Sequence, residues 1–306
     1  MDELRFGRNL LTEEEFLAPG HSFCSGCGEA LAIRMVTKAL GKNVITVMAT
    51  GCGEVTTTPF PYTSWRIPWI HTLFENVGAV VSGVEAASKI LMKKGKIPEE
   101  KIHCVGMGGD GATLDIGLQS LSGAFERGHD FLYLCWDNEA YMNTGVQRSS
   151  STPYGASTTT APAGKISIGE TKWKKNMVAI AVAHEVPYVA TACPSYPFDL
   201  INKVRKGAET QGPAYVHIFC PCPAGWRYPA NETINMGRLA VETGVFPLYE
   251  VENGHYRLTV DHPKLKPVEE YLKPQGRFRH LSELDINKIQ ERVHKEYAVI
   301  KKKTEE

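Results

Sequence analysis

Residues 101–136 read as a strand, a glycine-rich turn, a helix and a second strand, and no other stretch constrains the fold as much. Lys101-Ile-His-Cys-Val-Gly-Met is a β-prone run, Gly108-Gly109-Asp110-Gly111 the turn, 113–127 the helix and 131–136 the next strand. Such a βαβ unit makes two parallel strands, and a parallel sheet must be covered on both faces. The alternation continues to either side. A β-branched run at 44–49 ends in Thr-Gly-Cys-Gly, and 71–94 carries Leu73, Val77, Val80, Val81, Val84, Ala87, Ile90 and Leu91 at three- and four-residue steps, predicting a helix. Helices at 178–184 and 198–207 alternate with strands at 188–192 and 213–219. The expected fold is therefore α/β, a mostly parallel sheet with helices on both faces, over residues 1–226. Beyond that the alternation is lost. Residues 227–306 form a C-terminal extension expected to pack on the domain or on a partner subunit, with one amphipathic helix at 282–302 presenting Leu284, Ile289, Val293 and Ile300. A chain of 306 residues with 42% hydrophobic content can build the core this fold needs.

Lys plus Arg and Asp plus Glu are equal at 34 each, so no global field favours nucleic acid or an anionic membrane. The opening segment to Gly20 is acidic in places and holds no apolar run of signal-peptide length, and nothing later approaches the roughly 18 apolar residues of a membrane span. A cytoplasmic location is expected, with no nucleic-acid or membrane partner. Of the eight cysteines, Cys104, Cys135 and Cys193 lie in apolar runs and read as small buried hydrophobes. The other five, Cys24, Cys27, Cys52, Cys220 and Cys222, sit among Gly and Pro in loops.

The turn after the 101–107 strand has a physical logic. Its glycines let backbone approach a phosphate, Asp110 offers a hard oxygen to a divalent cation, and the following helix directs N–H groups at anionic oxygens. The next strand runs into Asp137-Asn138-Glu139-Ala140, and Asn138, 28 residues after Asp110, can face it across one ion because adjacent parallel strands bring their carboxyl ends together. Gly109-Asp110-Gly111 followed at this interval by Asn138 resembles the motif of thiamine-diphosphate enzymes. The resemblance implies that Asp110, Asn138 and the carbonyl of Ala140 hold a Mg2+ bridging the cofactor's diphosphate. A nicotinamide site is disfavoured, since no G-x-G-x-x-G follows the first strand. The Ser-, Thr-, Pro- and Gly-rich loop at 148–167 follows this site directly and is expected to cover it.

Cys24-Ser-Gly-Cys27, Cys52 and Cys222 could hold either a structural zinc or a cubane cluster, and spacing alone leaves both open. The segments Gly20-His21-x-x-Cys24-x-Gly26-Cys27-Gly28, Ala49-Thr50-Gly51-Cys52 and Cys222-Pro-x-Gly-Trp226 resemble the β subunits of the 2-oxoacid:ferredoxin oxidoreductases, the pyruvate branch in particular. Phe60-Pro-Tyr-Thr-Ser-Trp, Phe74-Glu-Asn, Tyr141-Met-Asn-Thr-Gly, Glu242-Thr-Gly and Gln275-Gly-Arg-Phe extend the likeness. The resemblance implies a 4Fe-4S cluster on Cys24, Cys27, Cys52 and Cys222, with Cys220 the ambiguous neighbour, beside thiamine diphosphate. It also implies that Asn143 reaches substrate and that His21 touches cofactor or cluster. The implied reaction takes a 2-oxoacid, pyruvate on the likeness to the pyruvate branch, with coenzyme A to an acyl-CoA and CO2, or the reverse, passing electrons to ferredoxin. The glutamate that activates the cofactor would come from an α subunit, with γ and δ (ferredoxin-like) subunits as further partners; Glu54 and Glu75 are not in the segment the family uses for it. Other 2-oxoacids (2-oxoisovalerate, arylglyoxylate, oxalate) and a zinc-stabilised non-catalytic subunit are the alternatives.

Overall fold

The computed structural model describes residues 12–305; the segment expected to lack a leader lies largely outside them. In chain order come α1 (Gly28–Leu40), β1 (Val44–Ala49), α2 (Cys52–Val55), β2 (Trp69–Thr72), α3 (Val77–Lys93), β3 (His103–Gly109), α4 (Leu118–Glu126) and β4 (Leu132–Asp137). A long loop leads to α5 (Met177–Ala183), β5 (Tyr188–Ala192), α6 (Pro197–Glu209) and β6 (Ala214–Phe219). Then follow α7 (Pro223–Trp226), α8 (Thr233–Glu242), β7 (Tyr249–Glu252), β8 (His255–Leu258), α9 (Glu269–Leu272) and α10 (Glu283–Lys303).

The strands form one sheet in the order β2-β1-β3-β4-β6-β5-β7-β8, parallel from β2 to β5 and closed by the antiparallel hairpin β7–β8. Strand β4 shows why the sheet is sandwiched: all six residues are buried, Leu132, Leu134 and Trp136 in one core and Tyr133 and Cys135 in the other. The first face is covered by α1 (Ala32, Ile33, Val36) and α6 (Leu200, Val204), the second by α3 (Val77, Val81), α4 (Leu121, Phe125) and α5 (Met177, Ala181). A third cluster joins Phe219 and Trp226 to α8, α9 and α10 through Met236, Tyr271, Ile289 and Val293. The chain steps from β1 to β2 in one direction and to β3 in the other. That reversal opens a crevice beyond the carboxyl ends of β1 and β3, where ligands of such sheets sit.

Three expectations need correcting. Residues 71–94 are not one helix: the β-branched and aromatic run Trp69–Thr72 pairs with β1, and α3 starts only at Val77. The helix expected from 113 begins at Gly111 as a π-helical turn to Asp115, with α4 from Leu118. A Cβ at Gly117 would lie 1.9 Å from the Ala112 carbonyl five residues back, so glycine there is what admits the wide turn. In α10, Leu284 is 81% exposed, and Tyr297 rather than Leu284 joins Ile289 and Val293 on the buried face. Among the described residues no helix is long and apolar enough to cross a membrane.

Candidate active site

The crevice is a cleft of about 530 Å³ lined by the loops after β1, β3 and β4. Gly51 and Cys52 come from the first, Gly109, Asp110, Gly111 and Ala112 from the second, and Asn138, Ala140, Tyr141, Met142 and Asn143 from the third. A Cβ on Gly51 or Gly109 would touch nothing, so these positions face open cleft. Gly111 differs, because a Cβ there would fall 2.1 Å from the Tyr141 ring. The glycine expected to serve phosphate approach is thus required by Tyr141 packing.

Asp110 is 1% exposed, and burial together with the neighbouring Asp137 carboxylate pushes its carboxyl well above the usual range. Ser149 Oγ donates to Asp110 Oδ2. The other oxygen, Oδ1, points to where the Asn138 amide oxygen lies 3.1 Å away, and that amide oxygen is 2.8 Å from the Ala140 carbonyl. In this orientation the amide nitrogen donates to Glu29 Oε2 at 3.4 Å. An amide oxygen flanked by two other oxygens is repelled by both unless the amide turns over or a cation sits among them. Hard oxygens from carboxylate, amide and carbonyl are the donors a small divalent cation takes, so the residues present fit Mg2+.

The loop after β4 is braced from several sides. Ser151 Oγ donates to Asp137 Oδ1 at 2.7 Å, Thr152 Oγ1 to the Glu139 carbonyl at 2.8 Å, and the Trp226 indole N–H to the Asn138 carbonyl at 2.8 Å. Ser149, Ser151 and Thr152 are buried, so the start of the 148–167 loop is packed onto the site, whereas Ile166 near its end is fully exposed. Glu29, in the first turn of α1, is a cleft residue the sequence does not announce. Its carboxyl is 4% exposed, held by Asn138 and the Gly53 N–H, and pushed up to about 7 by burial.

The cysteines gather at the same end of the sheet. Cys27 is the N-cap of α1, Cys52 opens α2, and Cys222 is the N-cap of α7, its sulfur accepting the Gly225 N–H at 3.3 Å. Burial, with the Glu29 carboxyl and the Cys222 thiol adjacent, pushes Cys27 up to about 12; burial, eased by the Gly225 N–H and reinforced by Cys24 and Glu29, leaves Cys222 raised to about 11. Burial also raises Cys52, whose thiol feels Glu29, Cys222, Cys27 and Cys24. Each of Cys27, Cys52 and Cys222 feels at least one other thiol of the set that includes Cys24, and none is in a disulfide. Cys220 turns away into the core, 1% exposed, its thiol donating to the Ile218 carbonyl at 3.4 Å. Cys104, Cys135 and Cys193 are buried core residues. Only Cys52 of the cysteines lines the cleft; His21, Glu54 and Glu75 do not line it either. His21 packs edge-on against Phe23 at 5.3 Å, with its buried Nδ1 unpartnered. Glu54 is bonded to Thr58, and the exposed Glu75 meets Ser120 through its carbonyl.

Residues 49–218 match the family described as thiamine pyrophosphate enzyme, C-terminal TPP binding domain. Pyruvate synthase subunit PorB of Methanocaldococcus jannaschii is 58% identical over 278 residues, covering 90% of this chain and 93% of that one. The chain belongs to the thiamine-diphosphate-binding subunits of the 2-oxoacid:ferredoxin oxidoreductases. Ketoisovalerate oxidoreductase subunit VorB of Pyrococcus abyssi is 50% identical over 295 residues, covering 96% of the chain and 94% of the relative. A solved 2-oxoglutarate:ferredoxin oxidoreductase from Magnetococcus marinus shares the fold, with a TM-score of 0.55 at 21% identity over 75% of this chain and 79% of that one. The stretch matched by the thiamine pyrophosphate family contains the loops after β1, β3 and β4 that line the cleft.

Proposed function

We propose that this chain is the β subunit of a pyruvate:ferredoxin oxidoreductase of the cytoplasm, holding thiamine diphosphate through Mg2+ and carrying a 4Fe-4S cluster on Cys24, Cys27, Cys52 and Cys222. The observation that carries the reading is the convergence of Asp110 Oδ1, the Asn138 side-chain amide and the Ala140 carbonyl in a cleft that also exposes Cys52. When bound, thiamine diphosphate supplies the electron sink for decarboxylating a 2-oxoacid and the cluster a one-electron acceptor. Asp110, Asn138 and Ala140 hold the cation, while Ser149 keeps Asp110 turned so that its second oxygen stays free for it. Asn143 is exposed at the cleft and lines it, so its amide can hydrogen-bond a carbonyl substrate. The Cys222 sulfur already accepts one N–H, the kind of bond that tunes a thiolate-bound cluster.

Glu54 and Glu75 do not line the cleft, and we assign the cofactor-activating glutamate to an α subunit, with γ and δ subunits and ferredoxin as the onward electron path and coenzyme A as acyl acceptor. Exposed apolar side chains support a covering partner: Phe60 is 97% exposed, Tyr62 77%, and Leu73, next to the cleft-lining Phe74, 59%. The test uses anaerobically purified protein. A broad absorption near about 400 nm that bleaches with dithionite is expected for a thiolate-bound cluster; a colourless, zinc-containing chain would refute it. The isolated chain should reduce no viologen with any 2-oxoacid, and the full complex should prefer pyruvate. A complex that prefers 2-oxoisovalerate would move the substrate assignment to the ketoisovalerate branch.

A further inference from the structure

Glu139 stands between the oxygen donors Asn138 and Ala140, and it is a non-glycine residue with φ of 68°. That left-handed turn is disfavoured for any side chain with a Cβ, so something must hold it. It also shapes the site, because it brings the Asn138 side chain and the Ala140 carbonyl within 2.8 Å. The Glu139 carboxylate is buried, 2% exposed, and grips two cations: Lys174 at 3.1 Å on Oε1 and Arg277 at 2.5 Å on Oε2. Arg277 lies 138 residues further along, in the turn Gly276–Phe278, and is 3% exposed. Its Nε donates to Gln275 at 2.8 Å, and its guanidinium stacks 4.0 Å over the Trp226 ring. The same Trp226 donates its indole N–H to the Asn138 carbonyl. One stacked pair therefore reaches two consecutive residues of the cation-binding loop, Trp226 on Asn138 and Arg277 on Glu139.

We propose that Arg277 and Trp226 are positioning residues for the divalent-cation site, together locking Glu139 in the left-handed turn that aims Asn138 and Ala140 at Asp110. The otherwise unassigned C-terminal part of the chain would then act on cofactor retention without touching the cofactor. This rests on the assignment of Mg2+ to Asp110, Asn138 and Ala140.

The test titrates Mg2+ into the purified, chelator-stripped complex at saturating thiamine diphosphate and follows cofactor binding by calorimetry. Side chains that orient metal ligands typically lose about 10- to 100-fold in metal affinity when removed, and that rise in half-saturating Mg2+ is expected for Arg277→Met. Arg277→Lys, which keeps the charge, should recover part of it. Trp226→Phe should raise half-saturation as well, because the indole N–H to the Asn138 carbonyl is lost while a smaller aromatic ring remains beneath Arg277. As a structural control, Lys203→Met removes a buried lysine bonded to Asp199, Thr191 and Thr259, and should lower the melting temperature without moving half-saturation. A folded Arg277→Met complex with Mg2+ half-saturation within about twofold of the parent, or a shift that Lys203→Met reproduces, would overturn the clamp, since either result lies below the loss such side chains cause. If Arg277→Met fails to assemble, the double variant Glu139→Ala with Arg277→Met removes the stranded carboxylate while keeping the Cβ that disfavours the left-handed turn. Parent-like affinity in that variant overturns the proposal, and weakened affinity upholds it. Asp110→Asn separates the two readings. If it leaves the Mg2+ titration unchanged, the cation assignment itself fails; if it abolishes binding while the Arg277 variants do not change it, only the clamp fails.

Discussion

Gly28→Ala is the substitution that most directly probes the proposed cluster site. Gly28 opens α1 beside Cys27, and its N–H donates to the Pro221 carbonyl at 3.0 Å, joining the Cys24–Cys27 turn to the segment that carries Cys222. A Cβ there would stand 2.8 Å from both the N and the O of Pro221, and reaching ordinary contact at 3.4 Å requires the two backbones to part by about 0.6 Å. Neither neighbour can rotate aside, because both atoms are main chain. Overpacking of this size costs about 1–3 kcal/mol, while alanine in place of glycine in a helix returns about 0.5–1 kcal/mol. The net loss of at most a few kcal/mol leaves a folded subunit with a melting temperature lower by several degrees. The cluster is more sensitive, since metal sites tolerate only about 0.2 Å in ligand distance and Cys27 moves away from Cys222 by more than that. Iron and acid-labile sulfide per chain, with the visible spectrum and the electron paramagnetic resonance of the reduced protein, should show at least half the cluster lost under anaerobic purification. Parent iron content with an unchanged resonance would refute the argument that this close approach shapes the site.

Glu250→Gln should destabilise the complex by about 1–3 kcal/mol, less than a fully buried pair because Lys206 and Arg257 stay close to solvent. Glu250 receives Tyr188 at 2.7 Å, Arg257 at 2.7 Å and Lys206 at 3.0 Å, stapling the β7–β8 hairpin to β5 and α6. Burial raises the Glu250 carboxyl, but those three donors outweigh it and hold the group below its usual range. The folded-state value is depressed, so the stabilisation is present above the ordinary carboxylate range and is lost as pH falls through the depressed value; the difference in denaturant midpoint between variant and parent should shrink in acid. Gly83→Ala, at a helical site in α3 where a Cβ meets nothing, should raise the melting temperature by about 1–3 °C and leave iron content alone. A loss of stability there would show that the exposed face of α3 is packed in the assembly.

What the sequence revealed and what it hid divide along a physical line. Asp110, Asn138 and Cys52 were legible because each follows the end of a parallel strand, and adjacent strands bring such ends together whatever lies between them in sequence. Strand β2 was hidden by the apolar residues of α3 that follow it, since Trp69–Thr72 adds only four residues to a longer helical pattern. Helix α1 was not expected, although Ala32, Ile33, Val36 and Leu40 recur at helical steps, and the role of Glu29 was hidden as well, because a glutamate in a first helical turn is ordinary until burial and the Asn138 contact are known. Gln275-Gly-Arg-Phe gave no chemistry on its own for the same reason. Its Arg277 gains meaning only from a carboxylate 138 residues away and an indole between them. Donors to a cation must sit at strand ends, where periodicity and turn residues betray them. The side chains that aim those donors can arrive from any element that packs behind the loop. Here Trp226, from α7, and Arg277, from the turn before α10, come from the end of the chain, and only the fold shows that the two meet.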